Sequence, residues 1–193
     1  TYGGGSGMIP LVIEEETAVP NASQIIHLGA GQGTQGMYMA LNFNVINGQN
    51  QGHNNGANYY EQCMSMVPGF QGQLKENDTV EVLEGVQANK TINPIQARIN
   101  VCASCDKEDC INNECGHDPC PRVVIVPVTD ELKKGTVTIT GFAAFYLESV
   151  NKEKDPDTNE HKAVIHGYFI EMLPPGSVGT GASKGTYIAR LIE

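Results

Sequence analysis

Apolar and polar residues alternate with a period of two along much of this chain. Residues 37–45 (MYMALNFNV) set Met37, Met39, Leu41 and Phe43 on one side and Tyr38, Ala40 and Asn42 on the other, the spacing of a strand. Residues 79–83 (TVEVL) alternate in the same way, and 24–28 (QIIHL) form a short strand segment. Residues 8–14 (MIPLVIE) read as a strand with Pro10 near its start, where a missing N–H is tolerated. The run 123–128 (VVIVPV) is β-branched and reads as a buried strand. A long strand is predicted over 135–150, bent at Gly141, with 163–172 as its return and 186–192 closing the chain. Two segments are spaced like short helices instead. The first is 57–66, with Asn58 as N-cap. The second is 95–101, after Asn93-Pro94 as cap and first-turn proline. Strands following strands without intervening helices predict a mainly β protein of antiparallel, sandwich-like sheets. Residues 1–16 form a Gly-rich arm and strand, and 17–193 form a single domain.

Charge narrows the partners. The chain carries 12 Lys plus Arg against 22 Asp plus Glu, a net charge of −10. Binding a nucleic-acid backbone needs a basic face, so that class is excluded. No segment reaches the roughly 18 apolar residues that span a bilayer. The chain begins at Thr1-Tyr2-Gly3, which reads as a processed or trimmed form. Membrane contact is expected only through a segment preceding it.

The cysteines carry the most chemistry. Cys102, Cys105, Cys110, Cys115 and Cys120 crowd one polar excursion, residues 102–120, and Cys63 stands alone. An even total of six, five of them in one polar stretch, predicts disulfides and an oxidising, extracellular location. Sequence does not choose the pairing, but complete pairing requires Cys63 to reach the excursion. The alternative is a metal-binding or redox module. Cys102-x2-Cys105-x4-Cys110-x4-Cys115 has zinc-knuckle spacing, and four thiolates can close a tetrahedral zinc site. His117 is a substitute ligand in that reading. The acidic neighbours Asp106, Glu108, Asp109, Glu114 and Asp118 would repel phosphate. A weaker calcium candidate is Asp155, Asp157 and Asn159, which match the start of an EF-hand loop but lack its later glycine and glutamate. Gly31, Gly33 and Gly36 fit G-x-G-x-x-G, yet neither a crossover helix nor an acidic residue follows where a dinucleotide site needs one. The five histidines show no metalloprotease spacing, and no serine lies in a G-x-S-x-G elbow. The expectation is therefore no catalytic residue, no enzyme and no cofactor.

Several stretches, taken in order, give the chain a family resemblance. They are Gly7 to Leu11, His27 to Met37 with Ala40-Leu41, Gly56 to Tyr59, Cys120 to Val128, Ile139 to Leu147, and Gly167 to Ile170. In this series the chain resembles the extracytoplasmic region of TadE/TadG-like proteins of the Flp (tight adherence) pilus system. It departs from the family's pattern over 84–91 and in its dense cysteine excursion. The resemblance implies a surface or envelope protein without known catalysis, either a filament subunit or an accessory protein of pilus assembly. We expect a structural role in a pilus-like surface filament, with other copies or pilus components as partners. The expected working parts are Met8, Ile9, Leu11, Val12 and Ile13, an edge-type strand added to a neighbour's sheet.

Overall fold

Residues 7–28, 36–53, 55–65, 67, 69–70, 72–86 and 88–174 are described by the computed structural model. Among these residues nine strands and three helices follow in the order β1 (Leu11–Glu14), β2 (Ala22–Leu28), β3 (Met37–Ile46), β4 (Gln49–Asn50), α1 (Gly56–Ser65), β5 (Thr79–Leu83), α2 (Asn89–Val101), α3 (Lys107–Ile111), β6 (Val123–Thr129), β7 (Thr136–Thr138), β8 (Gly141–Lys154) and β9 (His161–Met172). The protein is mainly β. All strands belong to one mixed sheet with neighbours β1-β6-β8-β9-β2-β3-β5-β7, and β4 pairs with β3.

Most pairings are antiparallel, but β1 lies parallel to β6 and β2 parallel to β3. β1 also pairs antiparallel with β3, through Leu11↔Ala40, Val12↔Met39 and Ile13↔Tyr38. The path β1-β6-β8-β9-β2-β3 therefore returns to β1. Tyr38 pairs with Leu28 on one edge and Ile13 on the other, so β3 is bonded on both sides there.

Both faces of this circuit are covered. Leu11, Ile13, Tyr38, Val124, Val126 and Phe145 pack in one cluster with Tyr60 and Met64 of α1 and Ile95 and Ile99 of α2. Val12, Met39, Leu41, Phe43, Ile125 and Tyr146 face the other way and pack in a second cluster with Cys63, Cys102, Cys110 and Cys120. Every residue of β6 is buried, which is why its sequence is a continuous apolar run rather than an alternation.

Local chemistry sets the element ends. Asn55, not Asn58, caps α1. Its side-chain Oδ1 accepts from the Asn58 N–H at 3.0 Å, and its carbonyl accepts the first helical bond from Tyr59 at 2.9 Å. α2 begins at Asn89, so Pro94 lies inside the helix instead of in its first turn. The stretch 135–150 divides in two. β7 pairs with β5, whereas β8 starts at Gly141 and pairs with β6 and β9. All five non-glycine residues with positive φ among the described residues are asparagines, namely Asn21, Asn47, Asn77, Asn113 and Asn159. Asparagine tolerates the left-handed region better than other side chains, and the Asn-rich composition is spent at such turns.

Residues 1–6, the glycine loop over 29–35 and the closing strand expected over 186–192 lie outside the described residues. Among those described, no helix is long and apolar enough to cross a membrane.

Candidate functional site

The cysteine excursion is built on two helix ends and a folded-back turn. Cys102 follows α2, its N–H bonded to the Ile99 carbonyl at 3.1 Å. A tight turn follows, closed by the Cys105 N–H on the Cys102 carbonyl at 3.2 Å. Cys110 sits on α3 and is fully buried. Beyond α3, Asn113 and Gly116 adopt positive φ and turn the chain back. Cys115 thereby returns towards the preceding cysteines, and Cys120 leads through Pro121 into β6.

This path gathers the sulfur atoms. The Sγ atoms of Cys102, Cys105, Cys110 and Cys115 all lie within 4.8 Å of one another. Cys102 and Cys110 are 3.6 Å apart. The Cys120 thiol neighbours those of Cys110 and Cys115. Four of the six cysteines thus share one centre, with Cys120 beside it. One disulfide is formed, Cys102–Cys105, with Cα atoms 5.3 Å apart. Cys63, Cys110, Cys115 and Cys120 are free thiols.

The expected set of three disulfides is therefore not formed, and Cys63 does not staple mid-chain to the excursion. Cys63 is carried on α1, buried, one helical turn from Tyr59. Burial pushes its thiol up to about 11, with the Tyr59 hydroxyl bond acting against the shift. Burial, followed by the neighbouring Cys120 and Cys115, pushes the Cys110 thiol well above the ordinary thiol range. Burial also raises Cys120, opposed by the backbone N–H of Arg122. His117 enters through its backbone, its carbonyl accepting from the Cys115 thiol at 3.9 Å.

Two buried arginines frame the excursion, and neither is evident from sequence. The Arg122 guanidinium donates to the carbonyls of Leu147 (2.9 Å), Cys102 (3.0 Å) and Glu148 (3.0 Å). It also lies over the Tyr146 ring, 4.8 Å from the centroid. Arg98 of α2 donates to the Met64 carbonyl at 2.6 Å and the Pro121 carbonyl at 3.3 Å. It thereby joins α1, α2 and the exit of the excursion, and burial lowers it to about 10. Lys107 lies 4.5 Å over the Tyr168 ring, holding α3 against β9. Asp106, Glu108, Asp109, Glu114 and Asp118 are exposed.

The other candidates resolve differently. Met8, Ile9, Leu11, Val12 and Ile13 are all buried within this chain. β1 is bonded on one side to β6 and on the other to β3, so the expected edge strand is an interior strand. Asp155 closes the β8–β9 turn. Its Oδ1 accepts from the N–H groups of Asp157 (2.8 Å) and Thr158 (3.2 Å), and its Oδ2 pairs with Lys162 at 2.7 Å. The bond from Lys162 comes first among the causes that hold this carboxyl down, at about 2. Both oxygens serve the turn, and the calcium reading loses its principal ligand. His53 stacks on Tyr59, ring centroids 3.5 Å apart, in a polar loop tied to Asn44 of β3.

The sulfur cluster can do two things. Its thiolates can ligate a soft or borderline metal, or they can exchange with disulfides. No family model, no curated protein and no solved structure matches this chain.

Proposed function

We propose that this chain is an extracellular structural protein of an Flp-type pilus system, working through assembly and not through catalysis. One observation carries this reading. The stretches bearing the TadE/TadG-like resemblance share at least one residue with each of the six strands of the closed circuit, and one of them opens α1. Gly7 to Leu11 enters β1, and His27 to Met37 joins β2 to β3. Cys120 to Val128 leads into β6, Ile139 to Leu147 into β8, and Gly167 to Ile170 lies in β9. The departures lie off the circuit: 84–91 leads from β5 to α2, and the cysteine excursion lies between α2 and β6. The matched stretches thus sample every strand that closes the circuit, and the departures spare it.

In this reading the partners are other copies of the chain or further pilus components. Association does not use β1, because both of its edges are already bonded. Protease shaving of intact cells that express the chain, together with analysis of their sheared filament fraction, tests the reading. The expected result is cleavage from outside and recovery with the filaments. Full protection in intact cells, with recovery only from the reducing cytosol, would overturn it.

A further inference from the structure

The cysteine cluster has more sulfur than its one disulfide uses, and a geometry that the disulfide does not explain. We propose that Cys102, Cys105, Cys110 and Cys115 form a tetrahedral tetrathiolate site for one zinc ion, with Cys120 beside it as a non-ligand thiol. This inference concerns the excursion alone and does not depend on where the protein resides.

Three observations carry it. Metal–sulfur bonds of about 2.3 Å in a tetrahedron place sulfur atoms roughly 3.8 Å apart. The four Sγ atoms here lie within 4.8 Å of one another, and Cys102 and Cys110 are 3.6 Å apart. The ligands come from local structures of fixed shape, a two-residue turn between Cys102 and Cys105, helix α3, and the turn after it. Finally, four thiolates and one zinc ion carry a net charge of −2, and a buried cation stands next to them. The three described hydrogen bonds of the Arg122 guanidinium go to neutral carbonyls, one of them that of the ligand Cys102. Thiolate donors in a tetrahedron favour zinc over calcium or magnesium, which take oxygen ligands.

The Cys102–Cys105 disulfide is the alternative state of the same atoms. Oxidation by a small-molecule disulfide runs through a mixed disulfide. The two thiolates give up two electrons, the reagent's S–S bond breaks to two thiolates, and the Cys102–Cys105 bond forms. Zinc leaves as Cys110 and Cys115 take up protons. The site therefore holds metal when reduced and releases it when oxidised.

The test uses the full chain, reduced and loaded with zinc or with cobalt as the spectroscopic reporter. One zinc ion per chain is expected, and cobalt should give the visible bands of a tetrahedral tetrathiolate. Cys115→Ser, at a half-buried position, should weaken zinc binding by about 10- to 100-fold or more and shift the cobalt bands. Cys63→Ser and Cys120→Ser should leave both unchanged. Adding oxidised glutathione should release the zinc and leave a disulfide that maps to Cys102–Cys105. Reduced wild-type protein that binds neither ion would overturn the proposal, as would an iron–sulfur chromophore. So would loss of the cobalt spectrum in Cys120→Ser with its retention in Cys115→Ser. The first two of these outcomes are read on wild-type protein, and unchanged binding is read on Cys63→Ser and Cys120→Ser outside the ligand set, so misfolding of the Cys115→Ser variant does not blunt them.

Discussion

Cys63 shows how one buried atom sets a pH limit on the molecule. Its thiol titrates at about 11 in the fold, against an ordinary value of 9.0. The unfolded chain therefore loses this proton first as pH rises. The stability that this buried thiol contributes is fully present below pH 9.0 and is lost as pH climbs from there through about 11. Replacing Cys63 by Ala should flatten the stability slope across that window in denaturant titrations. Native protein should also leave Cys63 unalkylated near neutral pH until denaturant is added. Gly167 marks a different limit. A Cβ there would overlap the Phe145 ring and lie 2.6 Å from the Tyr146 carbonyl oxygen. Phe145 is itself buried and packed on Phe169, ring centroids 4.8 Å apart, so the ring has little room to yield. Gly167→Ala should cost about 1–3 kcal/mol, and a thermal melt should show Tm lower by roughly 2–10 °C.

At the level of elements, β1 makes the clearest demand. Met8, Ile9, Leu11, Val12 and Ile13 each bury an apolar side chain worth about 1.5–3 kcal/mol. Their sum rivals the whole net stability of a domain, about 5–15 kcal/mol. A chain starting at Glu15 should therefore be unfolded by far-UV circular dichroism and proton chemical-shift dispersion. A folded, monodisperse product would return these residues to the role of an edge strand. The same element shows what sequence can and cannot convey. Its strand character was legible in 8–14, as were β3, β5, β6 and β9 in their own alternations and apolar runs. Its neighbours were not, because pairing with Val128 and Tyr38 is decided by the packing of distant segments. The division of 135–150 into β7 and β8 stayed hidden for the same reason, since a strand pattern does not say which partner each half takes. Pro94 misled because proline favours a first turn, yet α2 accommodates it farther in. The grouping of Cys102, Cys105, Cys110 and Cys115 was visible as spacing. Arg122, Tyr146 and Tyr168 were not, since nothing local to them announces a burial or a ring contact.

For the molecule as a whole, the closed circuit of strands favours a durable body over a yielding one. Among the described residues, the free margins of the sheet lie on β7, of three residues, and on β4, of two, which pairs with β3 alone. A short outer strand gives another chain little backbone to pair with. Association between copies, as proposed above, then has to use side-chain surfaces or residues outside the described set.

The seating of β1 also has a mechanical meaning. A load drawn along the chain from residue 7 runs along β1, whose hydrogen bonds to β3 and β6 lie across the direction of pull. Those bonds would resist in shear, all together, and would not peel away one by one. A tether attached at this end would hold until both ladders failed at once.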